Sequence, residues 1–146
     1  MGKYRKLSHS FYKCDYHIVW TPKYRYRILK GEIRSHLKRD IYGLCKWKEV
    51  EIEELEICED HIHLMCSIPP KLSISNFMGM LKGKTAIKIL RSYPKLRKVY
   101  WGNHFWSRGY FVNTIGVNEI IIRRYVRYQE EEERKDEKGN DSPTLF

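Results

Sequence analysis

The chain reads as an α+β protein of the ferredoxin-like, split βαβ kind, a four-stranded antiparallel sheet with two helices on one face. Three observations lead there. Strand-like runs punctuated by Pro and acidic turns alternate with two segments of helical apolar spacing, and their order is strand, helix, strand, strand, helix, strand. The length, 146 residues, leaves room for one compact domain with a modest core. No stretch of about 18 apolar residues occurs and no apolar run follows the basic N-terminus, so the expected location is the cytoplasm.

The first strand is expected over residues 11–20, with Cys14, Tyr16, Ile18 and Trp20 on one side and Lys13, Asp15, His17 and Val19 on the other. Thr21-Pro22 ends it. Ile33, Leu37, Ile41 and Leu44 recur at helical spacing and predict a helix over about 31–46 that packs its stripe on the sheet. Residues 49–58 carry Val50 and Ile52, then Leu55 and Ile57, between acidic residues; Glu59-Asp60 supplies a turn, and 61–68 alternates again. That pair is a hairpin. Ile62, Leu64, Cys66 and Ile68 share one face of its second strand and His61, His63, Met65 and Ser67 the other, so the two imidazoles point the same way.

Pro69-Pro70 closes that strand, and Ser73 or Ser75 can cap a second helix that carries Ile74, Phe77, Met78 and Leu81 inward and runs to about Ser92. Gly79 and Gly83 inside it each cost roughly 1 kcal/mol relative to Ala, and close packing is the explanation on offer. Tyr93-Pro94 breaks the helix. A loop holding Trp101, His104, Phe105 and Trp106 leads to a fourth strand near 110–114, and 117 to about 135 reads as an added C-terminal helix. Residues 136–146 form a polar tail, leaving 1–129 as the catalytic domain with its last helix continuing to about 135.

Twenty-eight Lys and Arg against 18 Asp and Glu give a formal net charge of +10. The acidic residues crowd toward the end: 130–146 hold seven acidic and three basic residues, so the body is more basic than the whole. Such a body suits a polyanion. Eleven tyrosines and four tryptophans interleaved with the cations favour unpaired bases, which stack, over duplex grooves. The loop Lys23-Tyr24-Arg25-Tyr26-Arg27 can meet phosphate and base together, or be a solvated loop; Lys82, Lys84, Lys88 and Arg91 flank the second helix and either track a phosphate backbone or simply face water. Cys14, Cys45, Cys58 and Cys66 lack C-x-x-C spacing and read as reduced, mostly buried thiols.

Two imidazoles two residues apart on a strand can chelate one divalent cation, and the Gln129 amide oxygen is a hard ligand suited to Mg2+ or Mn2+. A continuous last helix sets Tyr125 and Gln129 one turn apart on one face. Three protein ligands leave positions for phosphate oxygens, and the phenol of Tyr125 is the oxygen nucleophile, with Tyr128 as its rival three residues on. Asp60 is read first as a turn residue, with a bond to a histidine or the metal's outer shell as the lesser alternative. His17 and His104 read as packing or hydrogen-bonding residues.

Five marks in order then resemble the single-tyrosine HUH transposases, small insertion-sequence enzymes that act on single-stranded DNA. They are Tyr16-His17-Ile18-Val19-Trp20 with Lys23-Tyr24-Arg25; Asp60-His61-Ile62-His63-Leu64; Leu81-Lys82-Gly83; Phe105-Trp106-Ser107-Arg108-Gly109-Tyr110; and Tyr125-Val126-Arg127-Tyr128-Gln129. The resemblance implies His61 and His63 as the metal-binding pair, Gln129 as a further ligand to a divalent Mg2+ or Mn2+, and Tyr125 rather than Tyr128 as the nucleophile. It implies cleavage and rejoining of single strands bearing hairpin ends through a 5'-phosphotyrosine, by a homodimer whose tyrosine helix can complete the partner's site. Lys23, Arg25, Lys82, Lys84, Lys88 and Arg108 are the expected DNA contacts. Glu59 stands where many relatives are expected to have Pro, which affects the turn more than the chemistry. The competing readings are a noncatalytic single-stranded nucleic-acid binding module on the same sheet, an HUH replication initiator or relaxase, and a structural homo-oligomer with incidental histidines.

Overall fold

In the computed structural model, residues 5–6, 11–100, 104–115, 131 and 134–135 are described. The expected C-terminal helix lies largely outside them, and so do Tyr125, Tyr128 and Gln129; residues 131, 134 and 135 are helical and exposed.

The elements are β1 (Arg5–Lys6), β2 (Phe11–Tyr12), β3 (Asp15–Trp20), α1 (Gly31–Trp47), β4 (Glu51–Ile57), β5 (Ile62–Ser67), α2 (Ile74–Ser92) and β6 (Phe111–Thr114). The main sheet runs β4-β5-β3-β6 with every pair antiparallel. Its first strand is thus central and its fourth lies on that strand's outer side, the interleaving expected of a split βαβ plan. Ile18 and Trp20 of β3 and Ile62, Leu64 and Cys66 of β5 point into one core with Leu37, Ile41 and Leu44 of α1 and Phe77, Met78, Leu81 and Ile89 of α2. The helices therefore cover one face, and the odd-numbered residues His17, Val19, His63 and Met65 take the other.

The helix ends follow local chemistry. Ser73 caps α2, its Oγ accepting from the Asn76 amide at 3.1 Å. The Lys48 amide closes α1 onto the carbonyls of Leu44 and Cys45, and Glu49 turns the chain away at φ 59°. Close packing does not explain Gly79 and Gly83: both are exposed, and a Cβ at either meets nothing within 4 Å among the described residues. In β4 the register slips between Ile52 and Glu54. This bulge is the physical form of the broken alternation between Ile52 and Leu55, and it keeps all four apolar side chains of the run turned toward the helices.

The first strand is not continuous from 11 to 20. It breaks at Lys13-Cys14, and the leading piece, β2, pairs with β1 as a separate ribbon, Arg5 opposite Tyr12. At the break Lys13 turns its ammonium onto the buried Asp15 carboxylate, Nζ to Oδ2 3.2 Å, with both side chains at least 95% covered. Coulomb attraction between buried ions roughly offsets their desolvation, but a single ion left behind is costly. Lys13→Met is accordingly expected to destabilise the fold by about 3 kcal/mol. Urea unfolding measures it, and a loss under about 1 kcal/mol would show that water reaches Asp15.

Candidate functional site

The β4-β5 hairpin builds the site. Ile57 pairs with Ile62, and the Cys58 amide donates to the His61 carbonyl at 2.9 Å, so the chain reverses over Glu59-Asp60 alone. Residues directly opposite in an antiparallel pair project to the same side. Cys58 therefore faces with His61, and one step along Glu56 faces with His63. Ile57 and Ile62, one residue out of phase, are buried on the core side and hold the hairpin down.

On the free side the histidines form a chain of hydrogen bonds. His61 Nδ1 donates to Asp60 Oδ1 at 2.7 Å, His61 Nε2 and His63 Nε2 lie 3.0 Å apart, and His63 Nδ1 lies 3.0 Å from His17 Nε2. His17 and His63 also stack, ring centroids 5.2 Å apart and 19° from parallel. An ionised carboxylate only accepts, so the direction is set from that end. His61 carries its proton on Nδ1, His63 donates from Nε2 to His61, and His17 donates from Nε2 to His63. With one proton on each ring, each of these nitrogens then has a partner. If His61 and His63 held a divalent cation through their Nε2 atoms, His63 would carry its proton on Nδ1, where His17 Nε2 is within reach to accept it. Asp60 and His17 each hold the far nitrogen of one ring of the pair, the position that outer-shell partners take behind metal-binding histidines.

Asp60 is held by more than the turn. Arg25 Nη2 donates to its Oδ2 at 3.0 Å, Arg27 pairs with Glu59 at 2.9 Å, and the Leu29 amide donates to the Glu59 carbonyl at 2.9 Å. The His61 hydrogen bond, then the Arg25 guanidinium, hold the Asp60 carboxyl below the ordinary aspartate range. Its folded-state value is the depressed one, so whatever stability the ionised group contributes is present above the ordinary value and lost only as pH falls below it. The lesser alternative of the sequence, Asp60 as a partner of a histidine, is the arrangement observed. Asp60→Ala is expected to weaken divalent-metal binding by about 10- to 100-fold. Isothermal titration reads this, and an unchanged affinity would reduce Asp60 to a turn residue.

The remaining candidates fall into two groups. Lys23 and Arg25 sit on a loop in which Tyr24 and Arg25 both adopt positive φ, 66° and 51°, a conformation that non-glycine residues hold only when their surroundings enforce it. Its rings are presented outward: Tyr24 is 63% and Tyr26 44% exposed, and they lie 5.4 Å apart. Lys84 lies over the exposed Trp47 ring at 5.5 Å, and Lys88 approaches Asp40 at 3.8 Å, while Arg108 is exposed. Lys82 differs. Its ammonium donates to the carbonyls of Ser107 and Gly109 at 2.7 and 2.8 Å, and burial lowers its pKa. It fastens the loop that carries Arg108 and leads into β6. The thiols of Cys45 and Cys66 are buried in the core, that of Cys45 pushed up to about 12 by desolvation. Cys58 is only half-buried, its thiol also raised, by desolvation and then by Glu56. Its sulfur and the ring nitrogens of His61 and His63 all lie within 4.8 Å of one another.

Sequence reasoning missed two members of this cluster. His17 read as a packing or hydrogen-bonding residue, and it does hydrogen-bond, but nothing local names His63 as its partner; the tie comes from the β3-β5 register, Val19 opposite His63 and His17 opposite Met65. Cys58 carried a usable signal, since two turn residues between it and His61 make them cross-strand neighbours. Among the described residues no helix is long and apolar enough to cross a membrane.

Comparison with known proteins bears on what this cluster serves. The family model described as transposase IS200 like matches residues 10–129. The transposase for insertion sequence element IS200 of Salmonella typhimurium is 43% identical over 137 residues, covering 94% of this chain and 90% of that protein. The ISDra2 transposase TnpA of Deinococcus radiodurans is 32% identical over 123 residues, 84% of this chain and 88% of that one. A Deinococcus radiodurans crystal structure described as a transposase superposes with a TM-score of 0.69 at 29% identity, over 87% of this chain and 96% of its own. A REP-associated tyrosine transposase, solved bound to a REP hairpin, shares the fold with a TM-score of 0.54 at 14% identity, over 85% and 68%.

Proposed function

Because the chain belongs to the IS200-like transposase family, we propose that it moves an insertion sequence by cutting and rejoining single-stranded DNA next to hairpins at the element's ends. The observation that carries this reading is the convergence of His61 Nε2 and His63 Nε2 on one point, with each far nitrogen held by Asp60 or His17. The donor set, two imidazoles and a hard amide oxygen from Gln129, fits a divalent ion such as Mg2+ or Mn2+.

When bound, the ion supplies charge stabilisation at the scissile phosphate. The chain supplies the rest. The Tyr125 oxygen attacks phosphorus as its proton departs, the bond from phosphorus to the 3' oxygen breaks, and that oxygen leaves as a 3'-hydroxyl. The 5' end stays on the protein as a phosphotyrosine ester. A 3'-hydroxyl from another strand then attacks the ester and restores the phenol, so joining proceeds without ATP because the phosphodiester energy was kept. Lys23, Arg25, Lys84, Lys88 and Arg108 are the proposed phosphate contacts, and the exposed Tyr24 and Tyr26 offer stacking for unpaired bases. Lys82 acts through the loop it fastens.

The reading includes a homodimer in which the tyrosine segment of one subunit completes the other's site, and a single catalytic domain that does not need residues 136–146. Support for the DNA partner comes from the basic body and from the relative solved on a REP hairpin. The test uses the full-length protein with end-labelled single-stranded DNA carrying the element's own hairpin and flank, with Mg2+ or Mn2+ and with EDTA. A covalent protein-DNA adduct formed only with metal is expected. Tight binding of those authentic ends with no adduct under any metal would replace this reading with a noncatalytic binding module.

A further inference from the structure

We propose that Cys58 is a third ligand to the metal at His61 and His63, making the hairpin a Cys-His-His site that takes Zn2+ with one coordination position open. The proposal rests on the reading of the two histidines as metal ligands and adds a choice of metal that neither the family pattern nor the paired imidazoles contains.

The geometry comes from the turn. With only Glu59 and Asp60 between them, Cys58 and His61 are directly opposed across the hairpin, and His63 stands two residues along the same face. Their three ligand atoms already lie within 4.8 Å of one another. A tetrahedral zinc ion, with bonds of about 2.0–2.1 Å to nitrogen and about 2.3 Å to sulfur, holds such atoms roughly 3.3–3.6 Å apart. The nitrogen pair stands at 3.0 Å, so a small spreading of the rings and a turn of the Cys58 side chain complete the cage. The orienting shell is in place as well, Asp60 behind His61 and His17 behind His63.

Chemistry decides which ion such a set prefers. A thiolate is a soft ligand that favours Zn2+ over Mg2+, whereas the Gln129 amide oxygen is hard and favours the reverse. As sulfur binds, the thiol proton, now directed to Glu56 at 3.8 Å, passes to solvent. Two metal states follow. Zinc is held wholly within residues 58–63, without any contribution from the tyrosine segment; a hard ion uses the histidines alone from this hairpin and needs Gln129. The open fourth position on zinc is where a phosphate oxygen would sit.

Cobalt reports the thiolate directly, since Co2+ replaces Zn2+ in such sites and a cobalt-sulfur bond gives a near-ultraviolet charge-transfer band that histidine ligation lacks. The full-length protein, stripped of metal under reducing conditions, is titrated with Co2+ alongside Cys58→Ser and His63→Ala. The expected result is a charge-transfer band at one equivalent in the wild type, absent from Cys58→Ser, while tetrahedral d-d absorption from the histidines remains. Zn2+ affinity by competition should fall in Cys58→Ser by at least the about 100-fold that loss of an outer-shell partner can bring, with Mn2+ affinity unchanged. Cobalt bound without the charge-transfer band, or a band that survives Cys58→Ser, overturns the Cys58 assignment and leaves the histidine pair standing. No cobalt bound by the wild type overturns both.

Discussion

Tyr125→Phe is expected to yield a folded protein that still binds single-stranded hairpin DNA yet forms no covalent adduct, with cleavage reduced at least about 1,000-fold. The substitution removes one oxygen, the atom proposed above to attack phosphorus. The phenol has an ordinary pKa of about 10, which makes its ionised form at pH 7 roughly 4 kcal/mol uphill. Deprotonation must therefore be coupled to attack, and the rate should climb with pH as the phenolate fraction rises. Tyr128→Phe supplies the control: three residues away, it should keep its adduct. Gel separation of the labelled adduct distinguishes the two. An adduct retained in Tyr125→Phe and lost in Tyr128→Phe would move the nucleophile three residues along the chain, next to Gln129.

His63→Ala is the second large effect. His63 is the junction of the observed chain, bonded on one side toward His61 and on the other toward His17. Its removal deletes a proposed metal ligand and leaves both neighbours without that bond, so metal-dependent cleavage should fall by more than the about 10- to 100-fold assigned to an outer partner such as Asp60. Stability should change little, because the ring is on the sheet face away from the core and Ile62 and Leu64 beside it remain buried. Metal titration with parallel thermal melts separates the two effects. A variant that cleaves normally at saturating Mn2+ would show that His63 orients DNA and does not hold the ion.

Much of this protein is legible in the chain itself. A period of two puts His61 and His63 on one face and Ile62, Leu64 and Cys66 on the other. Stripes at helical spacing place α1 and α2 within a residue or two of their observed ends, since each rule acts over neighbours in sequence. Ser73 and Pro94 act the same way, through bonds made or refused within a single turn. What lay beyond the sequence is long-range. The β3-β5 register alone brings His17, 46 residues away, to His63. The docking of 23–29 on the hairpin turns Arg25 and Arg27 onto Asp60 and Glu59, and the fold carries Lys82 onto the Ser107 and Gly109 carbonyls. Periodicity assigns a side chain to a face and cannot say which strand will lie alongside; that is settled when non-local pairing buries the shared core, and a cation meets whichever carboxylate or carbonyl the pairing leaves within reach. One hairpin therefore sets His61, His63 and Asp60 side by side from the sequence alone, while His17 and Arg25 reach them only in the folded chain.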